Sequence, residues 1–162
     1  YRPASRFAQK PLFYENLGRG QFRDVTAQSG PALQNARVGR GLAVADFDDD
    51  GDLDVAVSNQ GQAPLLLRNA SPHTNGWLTV RLVGHGSNRF GLGARVEVVA
   101  GGATQTREVS NVASYLSSND IRLHVGLGAA KTVDRLTIAW PSGTKQVLTN
   151  VAANQILTVE ER

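Results

Sequence analysis

The stretch ADFDDDGDLDVAVSN, residues 45–59, holds six aspartates between positions 46 and 54, although the whole chain has only 14 acidic residues. Four of these aspartates follow the pattern D-x-D-x-D-G-x-x-D, which begins at Asp46 and ends at Asp54. Carboxylates two positions apart on a curled loop converge on one point, and Gly51 permits the positive-φ backbone that such a curl requires. Because like charges this close repel one another strongly without a cation, the stretch predicts a metal-binding loop.

The donor set of this loop indicates which ion it binds. Carboxylate and carbonyl oxygens suit a hard cation, above all Ca²⁺, whereas Mg²⁺ prefers fewer protein ligands and several waters. Asp49 is expected to face solvent. No histidine is close in sequence, and the loop nearly fills its own coordination sphere, so we expect a structural clamp and not a catalytic metal. The predicted ligands are the side chains of Asp46, Asp48, Asp50 and Asp54, with the carbonyl of Asp52 as the fifth.

The flanks of the loop distinguish it from an EF-hand, which has a bidentate Glu at loop position twelve and a helix on either side. Position twelve is Val57 here, and both flanks alternate in the manner of strands. Residues 41–48 and 53–59 therefore predict a β-hairpin around the acidic loop. A second hairpin is predicted from residues 11–16 and 21–26 around LGRG, and a further strand over residues 63–69. Residues 69–75, with Pro72 inside, predict a linker.

The second half of the chain shows a sharper period of two. No apolar stripe with a period of 3.6 residues continues for more than about two turns, so little helix is expected. Residues 76–162 predict a small β-sandwich or barrel, and the chain as a whole belongs to the all-β class. The side chains predicted to face the interior are Leu78, Val80, Leu82, Val96, Val98, Leu123, Val125, Leu127, Leu136, Ile138 and Trp140.

Two stretches of the sequence resemble known families. GRGLAVADFDDDGDLDVAVSN resembles the FG-GAP/VCBS repeat, the calcium-binding blade motif of integrin-like β-propellers. GSNRFGLGARVEVVAGG, LHVGLGAAKTVDRLTIAWPSG and NVAANQILTVEE resemble the UnbV/ASPIC domain. One segment departs from that second pattern, because NVASYLSSND has Ala113 and Ser118 where a Gly and a Gln are expected. The resemblance implies an FG-GAP-like region over residues 1–70 with partial propeller blades, and a UnbV/ASPIC-like β-sandwich over residues 76–162.

The resemblance also raises the question of missing blades. A propeller closes with four to eight blades, and this chain supplies about one and a half. Either the chain is a piece of a longer protein, or an open sheet edge accepts another chain. In the second case residues 1–16, YRPASRFAQKPLFYEN, would be the donated strand, and head-to-tail pairing would generate a filament. The resemblance to these families implies a secreted protein or one at the cell surface.

Composition limits the remaining function classes. The net charge is +3, and without the six loop aspartates the 17 basic residues face only eight acidic ones. This basic surface serves solubility or binds an anionic partner such as an acidic polysaccharide. Nucleic acid is not expected, since no Lys/Arg cluster alternates with aromatics, and no apolar run approaches the roughly 18 residues that cross a bilayer. The absence of cysteine excludes disulfides and zinc–thiolate sites.

Catalytic motifs are not found in the sequence. His73, His85 and His124 show no metal-pair spacing, and no GxSxG elbow occurs. The glycine-rich stretch 84–93 predicts a tight loop between strands, although Ser87, Asn88 and Arg89 could recognise a sugar or a carboxylate. Trp77 and Trp140 could stack on a sugar, but core packing is the better prediction for Trp140.

Three functional hypotheses follow. The first is a non-enzymatic, calcium-stabilised extracellular β module for adhesion, matrix assembly, or protein or glycan interaction. The second is a self-assembling extracellular filament subunit joined by strand exchange. The third is an accessory domain of a larger secreted enzyme.

Overall fold

The computed structural model describes residues 7–72 and 74–162, and its regular structure is almost entirely β-strand. β1 and β2 form a hairpin, and β3, β4 and β5 form an antiparallel sheet in that order, so both predicted hairpins are confirmed. The helical structure assigned within the described residues is a short 3₁₀ turn, Pro31–Gln34. The strands before position 73 are β1 (Tyr14–Gly18), β2 (Gln21–Asp24), β3 (Gly39–Ala45), β4 (Asp54–Asn59) and β5 (Leu65–Leu67).

Two sheets make up most of the second half. Their strands are β6 (Gly76–Val83), β7 (Arg95–Ala100), β8 (Ala103–Glu108), β11 (Leu123–Gly128), β12 (Thr132–Ala139), β13 (Lys145–Ala152) and β14 (Gln155–Glu160), with the short β9 (Val112–Ser114) and β10 (Ser117–Ser118) forming a separate hairpin. One sheet has the order β11-β6-β14 and the other β13-β12-β7-β8. β6 is the central strand of the first sheet, antiparallel to β11 and parallel to β14.

The core lies between these two sheets and confirms the predicted period of two. Side chains at alternate positions of a strand point to one face, and here that face meets the opposite sheet. Leu123 is half-buried and packs against the core, while the other ten predicted side chains are all buried. Full burial of such a side chain contributes about 1.5–3 kcal/mol to stability. The predicted sandwich is therefore the part of the chain with a closed hydrophobic interior.

The first half lacks a comparable interior. Among the described residues before position 73, Leu33 is the one buried hydrophobic side chain. Phe7 is 78% exposed and Phe22 63% exposed, although burial of such side chains normally stabilises a fold. These small sheets therefore resemble propeller blades without neighbours. The other large apolar side chains exposed here are Leu12, Phe13, Tyr14, Leu17, Leu42, Phe47, Leu53 and Leu66.

The edge of β3 that faces away from β4 is covered by residues 117–120 of the second half. The backbone N–H of Leu42 donates to the Ser117 hydroxyl at 2.9 Å, and the N–H of Val44 donates to Asn119 Oδ1 at 3.0 Å. The N–H of Asp120 donates in turn to the carbonyl of Val44 at 3.1 Å. Because an open edge strand invites pairing with another chain, these bonds remove β3 from the edges available for strand exchange. The donated strand predicted over residues 1–16 lies partly outside the described residues.

A buried carboxylate closes one end of the sandwich. Glu161 Oε2 accepts the backbone N–H groups of His85 at 2.8 Å and Ser87 at 2.7 Å, and Oε1 accepts the hydroxyls of Ser87 and Ser142. Burial acts to raise the pKa of Glu161, but these hydrogen bonds to the charged form lower it from 4.5 to about 2. The carboxylate thereby holds the loop after β6 against the turn after β12.

This depressed pKa predicts an acid-sensitive contribution to stability. A carboxyl whose pKa is lower in the folded state stabilises fully above its ordinary pKa of 4.5, and the stabilisation is lost as the pH falls towards 2. We expect Glu161→Gln to be less stable than the parent chain at pH 7, and the difference to shrink between pH 5 and pH 2. Urea denaturation across this range, with chelator present, measures it. Glu160→Gln, at the exposed neighbouring position, is the matched control, and an unchanged gap across the range would contradict the prediction.

Candidate metal centre

The acidic loop joins β3 to β4, and three of its aspartates come together. One carboxylate oxygen from each of Asp46, Asp48 and Asp50 lies within 4.8 Å of the other two. Asp46 is buried, Asp50 is half-buried and Asp48 is exposed, so the cluster opens to solvent on one side. Three converging carboxylates form a donor set that suits a hard divalent cation. This cluster could hold a metal ion.

The backbone of the loop is folded around the Asp46 carboxylate. Oδ1 of Asp46 accepts the N–H of Asp50 at 3.0 Å, and Oδ2 accepts the N–H of Gly51 at 2.9 Å. Asp50 Oδ1 accepts the N–H of Asp52 at 3.0 Å. Gly51 has a φ of 95°, a conformation that residues with a Cβ rarely adopt. These bonds hold the loop in a conformation in which the side chains of the cluster lie close together.

The other two predicted ligands occupy different positions. Asp54 is buried, and its carboxylate accepts the N–H of Asn69 at 2.7 Å and the N–H of Phe47 at 3.2 Å. It thus ties the start of the loop to the chain after β5. Each carboxylate oxygen has a further lone pair, so these bonds are compatible with metal ligation by Asp54. Asp52 is half-buried, and ligation through its carbonyl stays a prediction.

Two arginines that sequence reasoning missed lie against the loop. Arg68 Nε is 2.7 Å from Asp48 Oδ2, and Arg122 Nη1 is 2.7 Å from Asp49 Oδ1. Asp49 is exposed, as predicted, but its carboxylate is paired. The negative charge of Asp48 raises the pKa of Arg68, so this guanidinium stays charged. No sequence signal pointed to these contacts, because Arg68, which also bonds to Asp50, lies 18 positions from that aspartate, and Arg122 lies 73 positions from Asp49.

The loop is also docked on the outer face of the β11-β6-β14 sheet. Arg122 donates through Nη2 to the carbonyl of Asp46 at 2.7 Å and through Nε to Asp120 Oδ2 at 2.6 Å. Gly51 lies against the Trp77 indole so closely that a Cβ at this position would overlap the ring. Trp77 stacks in turn on His124, with ring centroids 6.1 Å apart. Any ion held by the loop would therefore also steady the contact between the two halves.

The histidines and serines form no recognisable catalytic arrangement among the described residues. His124 Nδ1 shares a hydrogen bond with Thr79 Oγ1 at 3.1 Å, but Thr79 is buried beneath the sheet surface. Burial lowers the pKa of His124 against the opposing effect of Asp46 and Asp52. The imidazole of His85 is exposed beside Glu160, and His73 lies outside the described residues. Trp140 is buried in the core, as predicted.

An acidic loop between two strands of a small open sheet, followed by a packed β-sandwich, defines an all-β protein. Residues 5–57 match the family model of the FG-GAP-like repeat, and residues 84–162 match that of ASPIC and UnbV. The chain therefore combines an FG-GAP-like repeat with an ASPIC and UnbV domain. The cluster of Asp46, Asp48 and Asp50 lies inside the first matched region.

Two curated relatives carry the same name. Cartilage acidic protein 1 of Homo sapiens is 32% identical over 139 residues, which is 82% of this chain and 20% of that relative. Cartilage acidic protein 1 of Mus musculus is 31% identical over 139 residues, 82% of this chain and 21% of the relative. The chain thus spans about a fifth of the length of the curated relatives it matches.

Proposed function

We propose that this chain is a non-enzymatic, calcium-stabilised extracellular β module that serves adhesion, matrix assembly, or protein or glycan interaction. The observation that carries the proposal is the convergence of Asp46, Asp48 and Asp50 in a loop that is docked on the second half. Calcium would be held by these three side chains, with Asp54 and the carbonyl of Asp52 completing the set. The ion would neutralise the clustered charge and brace the hairpin.

The relatives and the chain's own surface support the proposed setting outside the cell. The matched relatives are named as acidic proteins of cartilage, and FG-GAP-like repeats are a setting for calcium and partner binding. No helix in the described part of the chain is long and apolar enough to cross a membrane. The exposed apolar side chains of the first half favour a protein partner, and the basic surface favours an anionic glycan.

Calcium titration tests this proposal. An ion that binds only the folded state stabilises it by about 2.7 kcal/mol at a concentration 100 times its Kd, so we expect the melting temperature of demetallated protein to rise by several degrees. Calorimetry should show saturable binding of one Ca²⁺. Magnesium chloride at the same ionic strength is the control and should produce a smaller rise. Absence of both binding heat and thermal shift would remove the proposed role of the loop.

Self-assembly by strand exchange is a second candidate, and the imbalance of burial favours it. The main hydrophobic core draws its buried members from residues 78–159, while ten large apolar side chains among the described residues of the first half are exposed. A second copy of the chain would cover them. Sedimentation velocity with and without chelator separates the candidates, because a monomer at every concentration and in both conditions rules out the filament.

A further inference from the structure

A basic cleft lies beside the docked loop, where β6, the loop over residues 84–93 and the segment over residues 120–122 meet. Its volume is about 290 Å³. Three arginines line it, namely Arg81, Arg89 and Arg122, together with the ring of Phe90. Asp120 is the acidic residue of the lining, and the rest of the wall is apolar. The cleft combines positive charge with an aromatic surface.

Two of the three guanidinium groups are not neutralised by their surroundings. Arg122 forms ion pairs with Asp120 and Asp49. Arg81 and Arg89 are exposed, and neither side chain forms a hydrogen bond or ion pair with any other described residue. A guanidinium presents N–H donors in a planar fork that matches a carboxylate or another oxyanion in bidentate geometry. The cleft therefore has an unused positive charge suited to an anionic group.

Phe90 supplies a different kind of contact. Phe90 is 53% exposed and lines the cleft. The face of an aromatic ring carries a partial negative charge, which attracts the weakly positive C–H groups on the apolar face of a sugar. An exposed phenylalanine beside arginines thus fits a ligand with both an apolar ring face and a negative charge.

The loop that carries Arg89 and Phe90 is held in place by hydrogen bonds and by close packing. Asn88 Oδ1 accepts the N–H groups of Phe90 at 3.2 Å and Leu92 at 2.9 Å, and Asn88 Nδ2 donates to the Leu92 carbonyl at 2.8 Å. Gly91, with a φ of 64°, lies so close to β6 that an added Cβ would be 2.8 Å from the Cβ of Leu82. Because the loop is already ordered, little of the free energy of ligand binding is lost in ordering it.

The topology favours a sugar over a peptide as the occupant. β6 is hydrogen-bonded on both sides, to β11 and to β14, so it has no free edge to which a peptide strand could add. The volume is near the lower end for ligand pockets, which fits one compact ring and not an extended chain.

We infer that this cleft binds an acidic sugar residue, a hexuronate unit of a polysaccharide. Arg81 and Arg89 would hold its carboxylate, and Phe90 would stack on its ring. The inference names a ligand class for the interaction module and therefore rests on the proposed function. It does not require the acidic loop to contact the sugar.

The test uses a tetrasaccharide of alternating glucuronate and N-acetylglucosamine, with chitotetraose as its neutral counterpart. Binding to the full chain is followed by saturation-transfer NMR and calorimetry. We expect the acidic tetrasaccharide alone to bind, and Arg81→Gln, Arg89→Gln and Phe90→Ala each to weaken it about tenfold, the effect of one charge-assisted hydrogen bond or one stacked ring. Arg95→Gln is the matched control, since it removes an exposed arginine from the opposite sheet.

Several outcomes would overturn the inference. These are equal binding of chitotetraose, equal binding of tetraglutamate, full competition by millimolar acetate or sulfate, and undiminished binding by the Arg81 and Arg89 variants. Calcium titration of the same samples keeps the two proposals apart. If calcium binds and the sugar does not, only the proposal of a sugar site in the cleft is rejected. If calcium neither binds nor stabilises the protein, the proposal of a calcium-stabilised module is rejected, whether or not the sugar binds.

Discussion

Replacing Gly51 with alanine is expected to destabilise the protein by about 3 kcal/mol, the combined cost of a strained positive φ and of overpacking. The backbone at this position has a φ of 95°, and the added Cβ would overlap the Trp77 indole. The loop would have to leave the β11-β6-β14 sheet or distort. Urea denaturation measures the loss, and tryptophan fluorescence should report the displaced indole, because Trp140 stays buried in the core.

Gly143→Ala is the matched control for this substitution. Gly143 has nearly the same φ, 93°, but nothing lies within 4 Å of the position its Cβ would take. It shares the backbone strain, about 1–2 kcal/mol, without the overlap. The difference between the two variants therefore measures the contact between the loop and Trp77. Equal destabilisation would show that this contact contributes nothing.

Asp46→Asn is expected to lower calcium affinity about 100-fold or more, because it removes the charge of the one buried carboxylate in the cluster. The Asp46 carboxylate accepts hydrogen bonds from the backbone N–H groups of Asp50 and Gly51. The amide of an asparagine would turn its NH₂ group, a donor, towards one of these two donors. An unsatisfied buried donor costs about 1–3 kcal/mol. Calorimetry should show no saturable calcium heat, and the melting temperature should become insensitive to chelator.

Asp49→Asn separates ligation from net charge. It removes the same charge from the same loop, but the Asp49 side chain points to solvent and to Arg122 and is not one of the three converging carboxylates. We expect this variant to retain calcium-dependent stabilisation with at most a modest loss. If both variants lose calcium binding equally, the loop acts as a diffuse acidic patch and not as a coordinating site.

The sandwich core and the hairpins could be predicted from the sequence because both depend on local patterns. Alternation along β6, β7 and β12 marked Leu78, Val96 and Leu136 as interior positions, and the structure buries all three. The strand predicted over residues 63–69 is shorter, spanning Leu65–Leu67, since Pro64 and Asn69 lie outside the β4 ladder. The alternation is visible in the sequence because every second side chain of a strand points to the same face of the sheet.

The cluster of carboxylates could be predicted for a similar reason. Asp46, Asp48 and Asp50 are neighbours along the chain, and a single turn is enough to bring their carboxylates together. Asp54 was also singled out, and the structure adds that its carboxylate accepts the backbone N–H groups of Phe47 and Asn69. Residue type and spacing thus predicted the convergence of three carboxylates without knowledge of the sheets around them.

The sequence by itself determined the all-β class, the alternating core of the sandwich and the acidic loop, since each depends on residues a few positions apart. Tertiary structure alone decided what surrounds that loop. Arg122 reaches Asp49 across 73 positions, and Ser117 covers the edge of β3 across 75. Contacts of this kind leave no periodic trace, because they depend on the path of the intervening chain and involve residue types common on any surface.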